Sequence, residues 1–475
     1  MKTLILGAGP AGLAAAYTLA GQGDEATILE KTSRVGGICR TVSHKGNVFD
    51  LGGHRFFTKF DEVQALWEEV LGEEFLLRPR MSRIYYRGAF FDYPLRATNA
   101  LRGLGPVESA RCMASYGRSR LRPKGNEQTF EDWVSNRFGN RLFDIFFRTY
   151  TEKVWGIPTS EIGAEWAAQR IKNLDLSTAV KDALLRPIIT RGRSSDGRVV
   201  TSLIEEFHYP RRGPGQMYDV MAEKTVARGG NLLLEHKATR LECDGKRIQR
   251  VWAETPDGAE EVFEVDHVLS SMPLTLLIEA LEPAAPPEVI RAARSLRFRN
   301  LLTVDLLVDQ PDLFPDTWIY IHEPGLKVGR IQNFKNWSPD MVADPSTTSL
   351  GLEYFCWDSD DIWNTSDDEL VRLATRELRQ TGLLDHGQVL WGVVQRVPKA
   401  YPVYETGYES HLECITEYIR SFENLQAMGR YGMFKYNNAD HSILTALLSV
   451  ENIGGATHDV WSVNTDTEYQ EIRQN

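Results

Sequence analysis

Cysteine is scarce in this 475-residue chain. Cys39, Cys112, Cys243, Cys356 and Cys414 stand apart with no CxxC pair. That pattern argues against zinc ribbons and disulfide frameworks, and it suits a reducing, cytoplasmic setting. A basic excess is missing as well. Lys plus Arg number 54 against 65 Asp plus Glu, for a net charge of -11, which leaves no footprint for nucleic acid. An anionic ligand must therefore be met by local arginines rather than by the overall field. No run reaches the ~20 apolar residues of a membrane-spanning helix. The apolar start MKTLILGAGPAGLAAAYTLA has no basic leader and is broken by glycines, so it reads as strand, turn and helix, not as a signal peptide. Internal repeats, heptads and low-complexity tracts are also lacking.

What is present is ordinary globular composition, 42% hydrophobic and 25% charged, at a length that calls for two or three domains. KTLIL is a short buried-strand run, and GAGPAGLAAAYTLAGQG follows it as turn and helix. Gly7, Gly9 and Gly12 thus form G-x-G-x-x-G at a strand-to-helix junction. The first glycine permits the tight turn, the second lets backbone approach a pyrophosphate, and the third allows helix–sheet contact. The helix N-terminus adds free N–H groups and a positive dipole end for the diphosphate. EATILEK is the next strand, with Glu30 at the spacing of a ribose-binding acid. A bound dinucleotide is expected. No second strand–GxGxxG–helix unit follows, so a dedicated nicotinamide domain is not visible.

EKTSRVGGICRT places Arg34, Gly36 and Gly37 just after that acid. The segment resembles the second glycine motif of the flavoproteins related to amine oxidases and protoporphyrinogen oxidase. The alternating stretch HKATRLECDGKRIQRVWAETPDGAEEVFEVDHVLSSMPL extends the resemblance with hairpin strands. It implies FAD as cofactor and an α/β fold, in which a Rossmann-type FAD-binding domain carries a helical insertion and an antiparallel β-sheet substrate domain. The expected division is a discontinuous FAD-binding domain (1–60, 196–270 and 392–475), a helical domain with a mobile flap (61–195) and a substrate sheet (271–391). FEDWVSNRFGNRLFDIFFRTY carries helical periodicity inside the second part, and TRGRSSDGR (190–198) reads as a surface loop.

Further motifs narrow the likeness. DLGGHRFFT, EKVWGIPTSEIGAEWAAQRI, WIYIHEPGLKVGRIQNFKNWSP, KAYPVYE and GRYGMFKY together resemble the UDP-galactopyranose mutases, especially their longer, eukaryotic-type members. The resemblance puts Gly53 and His54 beside the isoalloxazine and Arg170 on the flap. It makes Arg330 and Arg430 the catalytic arginines, with His54 in the same set. Tyr320, Tyr401 and Tyr436 become phosphate- or substrate-binding phenols, and Tyr93 a base-stacking ring next to Arg96. Arg96 stands where that family offers an amide, and Thr151 where it offers an asparagine; both are base- or sugar-side positions. Asp440 and His441 have no GxSxG or other nucleophile with them and read as cofactor-side scaffolding. YPRRGPGQ reads either as a basic phosphate cradle or with Arg211 and Arg212 as solvated cations, and the SRLRPK stretch near Arg120 reads as an exposed basic edge.

The function this implies is interconversion of pyranose and furanose forms of a nucleotide sugar. It runs through an adduct between sugar and flavin N5, with no net redox. The active flavin is the reduced form, with diffusible NAD(P)H as external reductant. Arginine forks would hold the leaving diphosphate bidentately while phenols add neutral donors. The rival is an FAD-dependent oxidoreductase of the amine oxidase or protoporphyrinogen oxidase kind, or a desaturase. The expected partner is a nucleotide sugar, without membrane, nucleic acid or metal; homo-oligomerisation stays open.

Overall fold

The structure, a computed structural model, describes residues 1–93, 95, 97–164 and 206–465. Arg96, Arg170 and the 190–198 loop lie outside the described residues. The first sheet is parallel, in the order Leu425–Ala427, His267–Ser270, Lys2–Leu6, Glu25–Glu30, Asn231–Leu234. Its five strands come from three distant stretches of chain. The helix Pro10–Gln22 opens with proline in its first turn and ends at Gly23 in the left-handed region (φ 84°). Ala11, Ala14, Ala15 and Ala16 on that helix are all buried, because it is covered by sheet and helix on nearly every side. Small side chains permit that close approach.

A second sheet of seven strands faces the first domain. Its order is Val389–Pro402, Phe298–Val308, Thr348–Cys356, Arg330–Asn333, Trp318–Ile321, Ser82–Tyr86, Ala89–Asp92. Every pairing is antiparallel except Trp318–Ile321 with Ser82–Tyr86. The strands Phe298–Val308 and Thr348–Cys356 are buried along their whole lengths, which explains their near-continuous apolar runs. The chain is therefore α/β: a Rossmann-type parallel sheet combined with helical and antiparallel-sheet insertions.

The sheet draws on residues 82–92 and 389–402 as well as on the expected 271–391 interval. The helical reading of 61–195 needs correction in its first third, where Phe75–Pro79, Ser82–Tyr86 and Ala89–Asp92 are strands. The reason is local. Tyr86 pairs with Ala89 across a two-residue loop, Arg87-Gly88, in which both residues have positive φ (50° and 75°). That is the primed turn whose twist suits a hairpin. Helix does follow from Phe130 to Trp155 in short consecutive pieces, starting at Thr129, whose side chain accepts from the Asp132 N–H.

Candidate active site

The carboxyl ends of the parallel strands and the inner face of the seven-stranded sheet enclose a cavity of about 970 Å³. Its floor is built from backbone. Gly7 sits at φ +99°, and a Cβ there would lie 2.6 Å from Ser271 Oγ. A Cβ on Gly12 would come within 1.8 Å of the Gly7 carbonyl oxygen. The second glycine loop packs directly on the first: the Gly36 N–H donates to the Ala8 carbonyl at 2.8 Å, and a Cβ on Gly37 would stand 3.3 Å from Gly9 Cα. The helix beginning after Gly9 has no side-chain cap, so its first N–H groups remain for an anion. Glu30 is nine-tenths buried and accepts from the Ala8 N–H (2.9 Å), the Thr32 N–H (3.0 Å) and Thr32 Oγ1 (2.8 Å). Those bonds fix its carboxylate at the cavity edge with acceptor capacity to spare for a ribose hydroxyl.

Gly7, Gly9, Glu30, Gly37, Gly53, His54 and Asp440 all line this cavity. Gly12, Gly36 and His441 are buried and do not line it, and Arg34 is exposed and does not line it either. Arg40, which the sequence reading did not single out, lines the cavity instead. Asp440 and His441 begin the long helix Ala439–Ile453 behind Asn438, where a reciprocal capping arrangement closes the first turn. Burial pushes the Asp440 carboxyl up to about 7, against the His441 N–H that stabilises its anion.

The opposite wall is built from side chains. Arg330 and Glu353 are cross-strand neighbours that form an ion pair, with Glu353 only 1% exposed. Glu353 also accepts from the Gly53 N–H at 3.1 Å and from Gln332 Nε2. Burial raises the Glu353 carboxyl, and Arg330 opposes that rise. Burial works against the Arg330 charge too, but the Glu353 carboxylate beside it holds the guanidinium well above its ordinary value. Arg330 Nη2 donates to the Tyr401 hydroxyl at 2.9 Å.

Arg430 is placed differently. It donates to the carbonyls of Ala400 and Asn437, both at 3.2 Å, and lies over the rings of Tyr436 (4.1 Å) and Tyr401 (5.1 Å). Among the described residues no carboxylate pairs with it. Arg330 and Arg430 thus face the same cavity, one balanced by a carboxylate and the other not. His54, half-buried, lines the same cavity. Burial, then Arg430 and Arg330, push its imidazole down to about 4, so the ring is neutral near pH ~7, and its Nδ1 has no partner among the described residues. Tyr320 and Tyr436 also line the cavity, while Tyr93 is exposed and packs on Tyr320 at 4.8 Å between ring centroids.

Glu353 is the main residue missed from the sequence. The available signal was a lone carboxylate in TSLGLEYFC, a run otherwise fit for a strand buried on both faces. Tyr150 was missed as well; its ring meets Tyr320 edge-on at 5.5 Å.

The paired glycine loops, the anchored acid and the orphaned His54 nitrogen fit a flavin dinucleotide stretched across the cavity: the molecule is an FAD-binding flavoenzyme. The chain belongs to the flavin-containing amine oxidoreductase family, whose model matches residues 10–413. It is 28% identical over 171 residues to a probable UDP-galactopyranose mutase of Klebsiella pneumoniae, covering 34% of this chain and 42% of that protein. It is 27% identical over 172 residues to dTDP-fucopyranose mutase of Escherichia coli, covering 34% and 44%. The chain thus matches less than half the length of these curated relatives. Among solved structures, reduced UDP-galactopyranose mutase superposes with a TM-score of 0.84 at 23% identity, covering 98% of this chain and 97% of that one. A putative protoporphyrinogen oxidase from Exiguobacterium sp. 255-15 gives 0.70 at 17% identity, covering 95% and 98%. At such identities both likenesses speak for the fold. Among the described residues, no helix is long and apolar enough to cross a membrane and no cluster suits a metal ion.

Proposed function

We propose that the protein interconverts pyranose and furanose forms of a nucleotide sugar without net redox. The observation that carries this reading is the convergence of Arg330 and Arg430, with Tyr401 and Tyr436, on one cavity shared with the dinucleotide loops. When bound and reduced, FAD supplies the nucleophile for the anomeric carbon, and NAD(P)H is the expected external reductant. The chain's own work is to hold the group that leaves and returns.

Arg430, which pairs with no carboxylate among the described residues, takes the charge that develops on the departing diphosphate. Arg330, its charge already balanced by Glu353, serves as an oriented donor with its Nη1 side uncommitted to any described residue. Tyr401 receives a bond from Arg330 and so keeps its own proton for a phosphate oxygen. Neutral His54 adds a hydrogen-bonding edge without repelling or pairing with the anion. The proposed site also includes Arg170, arriving with the flap, and Tyr93 with Arg96 on the base side. Each charge-assisted contact contributes roughly 1.5–3 kcal/mol. Donors that bind the leaving group more tightly as it gains charge lower the barrier rather than merely the substrate's dissociation constant.

The relatives named as mutases support this reading, and the family itself supports the alternative, an FAD-dependent oxidase or desaturase. Incubating dithionite-reduced protein with UDP-, TDP- and GDP-sugars separates the two. Ring-isomerised product without stoichiometric reductant is expected. Peroxide released in proportion to substrate loss, with no isomerised sugar, would overturn the proposal.

A further inference from the structure

Behind the arginine wall, the helix Thr149–Trp155 sends Lys153 into the loop that joins Trp318–Ile321 to Arg330–Asn333. Its Nζ donates to three backbone carbonyls of that loop: Ile321 at 2.9 Å, Glu323 at 3.1 Å and Val328 at 3.1 Å. On the other side, the buried Glu377 of the helix Asp367–Gln380 accepts from the Lys327 N–H (2.7 Å) and the Val328 N–H (3.0 Å). A cation gathers the loop's carbonyls while an anion gathers its amides, and Val328 is gripped from both sides. The residues at the two ends of this loop are Tyr320 and Arg330, themselves cross-strand partners.

The same short helix touches the rest of the wall. Tyr150 meets Tyr320 edge-on at 5.5 Å, and Trp155 lies 6.4 Å from Tyr401 and 6.0 Å from Tyr436 between ring centroids. Three successive contacts of one helix therefore reach Tyr320, the Arg330 hairpin and the Tyr401–Tyr436 pair. We propose that Lys153 is a positioning residue: its ammonium, seated on three loop carbonyls, fixes the hairpin so that Tyr320 and Arg330 meet the substrate's diphosphate together. Only the turnover arm of the test below rests on the mutase reading.

No carboxylate forms an ion pair with Lys153 among the described residues, so the loop carbonyls are what compensates its desolvation. Burial brings the amine down to about 8, with Glu377 and Glu323 opposing. His322, which faces it from the loop, is pushed by burial and then by Lys153 to about 3 and stays neutral. Deprotonation above about pH 8 removes the charge and one of three donors. The sign for stability is opposite. A lysine whose folded pKa is lowered favours folding increasingly as pH rises from about 8 toward its ordinary value near ~10.4. The brace therefore loosens without this group weakening the fold.

The experiment uses full-length, FAD-loaded protein. Amide hydrogen-exchange protection of residues 321–329 is measured in wild type, Lys153→Met and Lys153→Arg, beside flavin content, kcat and KM. In Lys153→Met, which removes all three bonds, loop protection is expected to fall at least about tenfold, the worth of a single charge-assisted contact. Flavin content and protection of the parallel sheet should stay unchanged, kcat should drop and KM rise, and Lys153→Arg should restore part of each. In wild type, loop protection should fall as pH passes about 8. Protection is the measure there because Lys435, anchored on the Trp461 and Val463 carbonyls, is also lowered to about 8. Unchanged loop protection in Lys153→Met overturns the proposal, and so does a loosened loop with wild-type turnover. If Lys153→Met does not fold, the wild-type pH series decides, and constant protection through about pH 9 overturns it. A wild type that isomerises no nucleotide sugar fails the functional reading, and loop protection then decides this one.

Discussion

The floor and the far wall of the cavity are held in place by different physics. The floor is a matter of backbone: Gly7 and Gly12 admit contacts that a Cβ would block, Gly37 one that a Cβ would crowd, and Glu30 is tied to main-chain N–H groups two and twenty-two residues away. The wall is a matter of charge: Arg330, Glu353, Tyr401 and Arg430 come from three separate strands and the short helix Gly429–Gly432, and the geometry of the first three depends on one buried ion pair. A floor of this kind tolerates almost no change of shape, whereas the wall tolerates shape change and is sensitive to charge.

The largest effect should come from the floor. Gly12→Val would drive a side chain into the Gly7 carbonyl, 1.8 Å from where a Cβ falls. It should abolish flavin binding, measured as flavin absorbance after reconstitution and desalting. A yellow Gly12→Val protein would show that the close helix–strand contact is not required.

Next come the two arginines, which should separate from one another. Arg330→Ala strands the buried Glu353 carboxylate, and removing one member of a buried pair costs about 3–5 kcal/mol. Arg430→Ala leaves no carboxylate behind and should cost far less stability. Both should lose turnover by at least about tenfold, one charge-assisted contact each. Denaturant titration beside single-turnover kinetics reads both quantities, and equal stability loss in the two variants would erase the distinction drawn between them.

A smaller effect concerns Asp305, buried on the strand next to Glu353 with both carboxyl oxygens unpartnered among the described residues. Burial, then Asp50 and Glu353, push its carboxyl well up, and burial takes Asp50 itself to about 7. Acids raised in the folded state bind protons more tightly there than in the unfolded chain. Their contribution to stability therefore declines as pH rises from about 4 toward about 7. Asp305→Asn removes one such group, so the fall in Tm between about pH 5 and about pH 8 should be shallower than in wild type. An identical slope by calorimetry would show that Asp305 does not titrate in this way. The smallest effect is expected for Arg211→Ala, whose bonds to Glu74 and Asp340 are half exposed. It should leave the denaturant midpoint and the flavin content close to those of wild type.

The same contrast decides what could be read from the chain alone. The floor was legible because its parts are contiguous: strand, G-x-G-x-x-G, helix, strand, acid, second glycine loop. Arg330 and Arg430 were found through a resemblance carried by short motifs. Glu353, on which Arg330 depends, belongs to no motif, and its role arises only when β-pairing sets it opposite residue 330. The hairpin at 82–92 was misread as helical because its signal, two positive-φ residues at Arg87-Gly88, is two residues long. Lys153 had no signal at all, since three carbonyls from another part of the chain leave no mark on the sequence around a lysine.

The parallel sheet also dictates when, during synthesis, the protein can first hold its cofactor. The pyrophosphate loop is made long before its sheet is completed by Leu425–Ala427. Gly429, whose N–H is held by Thr445 Oγ1 at 2.9 Å, lies where a Cβ would touch Ala11. More than 400 further residues must therefore be made after the pyrophosphate loop before that sheet is complete, and closing so long a loop is a late, slow event. Until then the strand His267–Ser270 presents an unpaired edge, open to chaperones and proteases. Flavin uptake by nascent or prematurely terminated chains would consequently act as a test of completeness: a product ending before Leu425 should emerge colourless even though its dinucleotide fingerprint is intact.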